Sequence, residues 1–557
     1  MLQVWTGVEC SIVRVKDAVR NQLVETGHFD RDGDLDLLAG LGVKTVRYPA
    51  LWELVEAREG CDDWTWLDRR LGRLRELGIS PIVGLLHHGS GPPWTHVLAP
   101  DFPDRLAAMA GRVARRYPWL KHFTPVNEPA TTARMGGLYG KWIPHATDEA
   151  TFLRMLAAQC RAVAKAMAAI RSVIPDAQLV QTEDFGRTFA TQRLEYQAQY
   201  ENERRWLTLD LLCGRVDDRH PFYARFLSSG VDPRHLRELA AAPCAPNIVA
   251  VDYYLTSDRF LDHRSSRYRD ETPGGNGEDV YVDVAAVRFD APADELGLES
   301  RLTEVWERYR LPVAAGEVHN GCTRDEQLRW FMEGWQAAQN CLAKGVDVRA
   351  VTAWALFGSF DWNSLMTRQD GYYECGVFDC RMTPPRRTVV AEAVSALAHG
   401  RTFTHPALDQ TGWWRRPAPS VGPASGIVLQ GVDPRMSVLN ECCQNRRLRT
   451  VSVRRLPPHR ILDDRWATIV LSGSAGSGGG DSFSLSVRYA AGGSLAFKIP
   501  RHLDWVAACN ALLDHVVDGT RGQWELVSAE AANQYHIRQA GASQPALVQP
   551  VSQVQVP

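Results

Sequence analysis

The chain is poor in the features that would send it to a membrane, a nucleic acid or a metal. No apolar run among its 557 residues reaches the roughly 18 that a membrane-crossing helix needs. The opening, MLQVWTGVEC, has neither the basic start nor the apolar core of an export signal and reads as a strand. A cytoplasmic location is therefore expected. Net charge is only −2, so neither a nucleic-acid nor a membrane partner is expected. The twelve cysteines are scattered, and without an export signal they are expected to be free thiols in a reducing compartment. Cys375 and Cys380 have no His or Cys partners at a zinc-like spacing, so no metal site is expected. No Gly-rich phosphate turn follows the first strand, which weakens the case for a doubly wound open sheet. No cofactor is expected.

What is present is a globular composition, 45% hydrophobic and 23% charged, in a chain long enough for two or three domains. Short apolar runs alternate with amphipathic stretches up to about residue 400. The strand candidates span 3–9, 43–48, 81–87, 122–126, 177–183, 247–254, 312–317 and 348–356. Several are apolar at every position, as in a parallel sheet buried on both faces. Between them run helical patterns such as LDRRLGRLRELG and RLAAMAGRVARRY, some ending on a helix-stopping glycine. Eight strands with intervening helices predict a (β/α)8 TIM barrel over residues 1–400. A doubly wound open sheet is the alternative.

The polar residues then form a pattern. Arg47, His88, Asn127, Glu128, Tyr254, Glu317 and Trp354 all fall at or just past the C-terminal ends of these strands. That rim is where such barrels build active sites. Two carboxylates from different strands, Glu128 and Glu317, suit glycosidic bond cleavage, one protonating the leaving oxygen while the other attacks the anomeric carbon.

These residues resemble glycoside hydrolase family 1, the retaining β-glycosidases, over nearly all of 1–400. FTPVNEP is similar to that family's acid/base motif, which implies Glu128 as acid/base and Asn127 as a sugar ligand. GEVHNG occupies the place of the nucleophile motif, implying Glu317 as nucleophile. TVRYPALW and VDYY resemble the motifs that imply Arg47 and Tyr254 as its supports, with Arg47 expected to lower the Glu317 pKa. LLHHGSGPP implies His88, and WALFGSFDW implies Trp354, Asp361 and Trp362, as sugar ligands. The pattern also departs from the family. Arg14 stands where a sugar-binding glutamine is usual, Asp361 is shorter than the usual glutamate, and Gly89 replaces an aromatic. Arg14 is expected to bind substrate, either paired with Glu9 or Asp361 around a neutral sugar, or facing a substrate carboxylate or phosphate. The first arrangement, with Asp361, is preferred.

Residues 401–425 are rich in Pro, Gly and Ser and read as a linker. Residues 426–530 read as a small α+β module, and 531–557 as a disordered tail. The glycine-rich stretch SGSAGSGGGDS precedes a strand, not a helix, so it is read as a hairpin loop and not a phosphate site. The barrel is expected to close its core without the module. The module itself is a candidate surface for a homo-oligomer or a protein partner. The resemblance implies a retaining β-glycosidase or transglycosidase acting on a carbohydrate or glycoside, without metal or cofactor. The competing reading is a catalytically silent sugar-binding protein on a glycosidase scaffold.

Overall fold

Eight runs of β-branched and small apolar residues form the strands of the computed structural model. They are β1 Gln3–Gly7, β2 Thr45–Pro49, β3 Ser80–Gly84, β4 His122–Thr124, β5 Gln178–Asp184, β6 Ile248–Tyr253, β7 Val313–Val318 and β8 Val348–Ala353. All pair in parallel and close in the order β1-β8-β7-β6-β5-β4-β3-β2. The protein is a (β/α)8 barrel, and each strand overlaps the sequence run that predicted it. The structure describes residues 2–265, 273–288 and 295–415, and beyond these 426–431, 433, 435–445, 448, 450–453, 466–473, 482–489, 494–500 and 505–517.

The barrel interior is filled by one large side chain against small ones. Trp5 packs in one cluster with Ile82, Val180, Ile248, Ala250, Ala314 and Ala350. Size alternation of this kind closes a tapered interior without voids. The larger core lies outside the strands, where helices such as Phe102–Arg116 and Glu149–Arg171 pack on one another and on the sheet. Among the described residues no helix is long and apolar enough to cross a membrane.

Two additions rise from the C-terminal rim. After β5 and β6 the chain forms a four-stranded sheet from Thr188–Ala190, Arg259–Asp262, Gly274–Gly275 and Val280–Ala285. Beyond the barrel a five-stranded sheet contains β9 Gly426–Gln430, β10 Thr450–Val453, β11 Trp466–Gly473, β12 Ser482–Tyr489 and β13 Ser494–Pro500. Their order is β10-β9-β11-β12-β13. Strands β9 and β10 are parallel and need a crossover. The helix Arg435–Asn445, not foreseen in the sequence, lies between them. It packs with the helix Trp505–Val517 over Ile427, Leu429, Leu485 and Val487. The glycine-rich 474–481, most of the basic stretch 446–465, and the tail 531–557 lie outside the described residues.

The segment read as a linker is docked over its first half. Ala407 and Trp414 are buried in the barrel core. Trp414 stands edge-on to Trp330 at 5.1 Å and donates from Nε1 to Glu333 at 2.8 Å. The remaining 416–425 lies outside the described residues. A chain ending at 405 should therefore be less stable than one ending at 415. Trp414→Ala in the full chain should destabilise the barrel by about 3 kcal/mol, the usual loss for a buried tryptophan. Urea unfolding followed by far-UV circular dichroism checks both.

Candidate active site

Glu317 reaches the rim through a bulge. Strand β7 shifts register against β6 between Ala315 and Glu317, leaving Gly316 as the extra residue and setting Glu317 opposite Asp252. A bulge re-aims the side chain that follows it. Gly316 is required there, because a Cβ would lie 2.2 Å from Asp252 Oδ1. Glu317 is only 3% exposed, and both its oxygens are engaged. Arg47 Nη1 stands 2.8 Å from Oε1 as an ion pair, while its hydrogen-bonded proton goes to the Gly316 carbonyl, also at 2.8 Å. Tyr254 donates its hydroxyl to Oε2.

Arg47 organises more than the nucleophile candidate. Its Nη2 donates to Asn127 Oδ1 at 2.6 Å, and that oxygen also accepts from Thr182 at 2.8 Å. Its guanidinium lies over the Trp354 ring, 4.6 Å from the centroid. Trp354 in turn needs Gly7 beneath it, since a Cβ there would meet the indole at 2.3 Å. Trp354 also stacks on His87 with 6° between the ring planes.

Glu128 caps the helix Pro129–Ala133 with a left-handed backbone, φ 43°, an uncommon conformation for a residue with a side chain. It is 5% exposed, and its nearest candidate cation is His88, 3.4 Å away. That imidazole is neutral, because burial, reinforced by Arg47, pushes its pKa down to about 3. Burial therefore raises the Glu128 carboxyl well above its usual range, and the charges of Asp252 and Glu317 push the same way. Glu317 is also raised. Burial outweighs Arg47 and Tyr254, which pull it down, so the expected lowering by arginine does not set the net direction. Arg47 and Tyr254 nevertheless keep Glu317 more acidic than Glu128.

His88, Glu128, Tyr254, Glu317, Trp354 and Trp362 line one cavity of 540 Å³. Arg47 and Asn127 sit beneath it as supports. A larger cavity of 690 Å³ lies in the helical layer between Leu298–Tyr309 and Arg324–Ala343 and contains neither glutamate. We assign the chemistry to the smaller one because it holds the strand ends. Trp362 stands edge-on to His88 and Trp142, at 5.5 and 6.0 Å, and its buried Nε1 has no hydrogen-bond partner.

Two expected ligands lie elsewhere. Arg14 does not line the cavity. The chain folds back at once into a hairpin, Ile12–Val15 against Ala18–Asn21, and Arg14 donates to the carbonyls of Thr95 and Pro93 at 3.1 and 3.5 Å. Its charge faces Glu53, not Glu9 or Asp361. Asp361 is held by Arg20 at 2.8 Å and by the Tyr372 backbone N–H at 2.8 Å, with 1% of its surface exposed. The Arg14–Asp361 pair is thus replaced by Arg20–Asp361. The hairpin, invisible when counting along the strand, moved the partner six positions onward.

The sequence reading also missed residues. Glu9 lines the cavity; Ser11 donates to its Oε1 from N and from Oγ at 2.9 and 2.5 Å. Burial and the Glu317 charge push its pKa up to about 7. Asp252 is fully buried, lies 3.6 Å from Arg47 and meets the Glu128 carboxyl through a side-chain hydrogen bond. Burial and Glu317 raise it well above the carboxylate range. His319 links Glu374, at 3.0 Å, to the Trp354 carbonyl, at 3.2 Å. Only the register of β6 against β7 and β5 could have pointed to Asp252.

No family model matches the chain. Beta-glucosidase 47 of Arabidopsis thaliana is 24% identical over 436 residues, covering 70% of this chain and 78% of that protein. A family 1 β-glucosidase from Thermotoga maritima superposes with a TM-score of 0.58 at 16% identity, over 73% of this chain and 98% of that one. A second Thermotoga maritima β-glucosidase structure, in complex with cyclophellitol, gives 0.57 at 17% identity over 72% and 98%. The protein has a family 1 β-glucosidase-like barrel, divergent in sequence.

Asp252→Asn should leave the fold intact, since it keeps the shape of the buried side chain and removes only its acidic group. Removing an acidic group that faces Glu128 eases ionisation of Glu128, so its pKa should fall. The infrared band of protonated carboxyls, titrated upward in pH, should then disappear at lower pH than in the wild type.

Proposed function

We propose that the protein is a retaining β-glycosidase of the family 1 type, which hydrolyses a β-linked sugar or transfers it to an acceptor. The observation that carries this reading is the two-sided hold on Glu317, Arg47 at one oxygen and Tyr254 at the other. Glu128 shares the cavity and has no cation beside it. A site that only bound sugar would have no use for a carboxyl held from both sides by a guanidinium and a phenol.

In the first step a Glu317 oxygen bonds to the anomeric carbon as the bond to the leaving oxygen breaks. Glu128 passes its proton to that oxygen. Glu128, now an anion, then takes a proton from water or an acceptor hydroxyl. The oxygen so activated displaces Glu317, and two inversions retain the configuration. Trp354 and Trp362 offer flat apolar faces to a pyranose, and Trp362 Nε1 offers a hydroxyl a donor. A cytoplasmic location belongs to the same reading. Division into a barrel, 1–400, and an α+β unit, 426–530, belongs to the same proposal.

Glu317→Ala should abolish turnover of aryl β-glycosides, and a 2-fluoro glycoside should add one sugar mass at Glu317 in the wild type. Labelling of another carboxylate would overturn the assignment, and no turnover on any sugar tried would favour the silent binding protein.

Glu128→Ala should slow glycosides with poor leaving groups by 10²–10⁴-fold, the usual worth of a general acid. Activated aryl glycosides should suffer much less, and azide should restore part of their rate. Steady-state kinetics across a leaving-group series checks this.

A further inference from the structure

The cavity that holds Glu128 and Glu317 is not walled by the barrel alone. Glu441 and Cys442, on the helix Arg435–Asn445, line it together with Val506 and Asn510, on the helix Trp505–Val517. Trp413, on the docked segment before the unit, lines it as well. The two helices that form the unit's own core thus turn one edge toward the catalytic carboxylates.

The attachment is specific. Tyr372 packs against the unit's hydrophobic cluster and also lines the cavity, while its backbone N–H holds Asp361 at 2.8 Å. The helix Arg435–Asn445 touches the turn Ala286–Arg288 of the rim insertion, whose Val287 is another wall residue. One residue of the barrel rim therefore joins the unit to the side chain beside Trp362. Asn510 is 5% exposed and donates to the Val506 carbonyl at 3.1 Å and toward Cys442 Sγ at 3.7 Å. That bond ties the two helices together at the cavity wall.

The strand ends, with Trp354, His88 and Trp362, take the sugar at the floor. A group arriving over the rim meets Trp413, Cys442 and Val506, which are apolar, and Glu441 and Asn510, which are polar. We propose that the C-terminal unit forms the subsite for the leaving group, a single ring with one apolar face, and so confines the enzyme to short glycosides. This rests on the glycosidase reading for the term leaving group, though not for the wall itself. A volume of 540 Å³ lies within the roughly 300–1,000 Å³ of pockets for compact ligands. It suits a sugar with one attached ring, not a polysaccharide chain.

The test compares 4-nitrophenyl and methyl β-glycosides of the same sugar on the full-length protein, by calorimetry and by turnover. The wild type should bind the aryl compound at least ten-fold more tightly. Glu441→Trp and Val506→Phe, which crowd the wall from different helices, should each cut the aryl-to-methyl affinity ratio at least ten-fold. Glu441 is only part-buried, so its variant reads the wall even if the Val506 variant does not fold. A ratio unchanged in a folded Glu441→Trp overturns the proposal. So does a wild type that binds the aryl compound no better than the methyl one, or binds neither. Discrimination in binding without turnover of either compound would instead retain the wall and reject the glycosidase.

Discussion

One guanidinium holds the site together. Arg47 is 6% exposed and faces the carboxylates of Glu317 and Asp252, the amide oxygen of Asn127, the Gly316 carbonyl and the ring of Trp354. Burial alone would lower its pKa, but Glu317 and Asp252 outweigh that and raise it, so its charge is permanent. Arg47 meets Glu317 and Asp252 directly, and Glu9 and Glu128 are buried close to these two. A buried charge without a partner is costly, so all four cannot be ionised together at neutral pH. The carboxyl closest to Arg47 and hydrogen-bonded by Tyr254 is the one best placed to ionise. The difference between Glu317 and Glu128, both ends of ordinary strands, comes from which of them Arg47 touches. That is how one environment can keep one carboxyl as a base and its neighbour as an acid.

The geometry around Arg47 limits what the backbone can be. Gly7 and Gly316 are the points where the rim is tightest, one under the Trp354 ring and one against Asp252. Left-handed backbone at His88, Glu128 and Asp361 falls in the same region. Strain of this kind persists where surrounding structure over-determines it. The barrel supplies that rigidity, and the rim additions supply the shape of the mouth. The insertion sheet and the C-terminal helices are late in the strand-end loops or beyond them, where chains tolerate growth without disturbing a core.

The barrel was legible because its signal is local. Each strand is a run of buried residues, each helix an amphipathic stretch, and their alternation leaves few topologies. The site was legible as far as it depends on residues at strand ends. His88, Glu128, Tyr254, Glu317 and Trp354 converge because every parallel strand delivers its C-terminal end to the same rim. Trp362 joins them from the turn that follows β8.

What failed was whatever depended on a partner from another segment. Counting from Gly7 to Arg14 assumed a continuous path, and a hairpin sent that arginine to the carbonyls of Thr95 and Pro93 and brought Arg20 to Asp361. Asp252 looked like one more strand residue until register set it opposite Glu317. Trp414 looked like part of a linker and is a core residue. The sequence by itself determined the barrel and the delivery of Glu128 and Glu317 to one rim, because periodicity and strand ends are properties of contiguous residues. Which carboxyl carries the charge, which arginine meets which acid, and which helices stand over the cavity were decided only by tertiary structure. Those are properties of distances between segments, and electrostatic energy depends on distance and burial rather than on position along the chain.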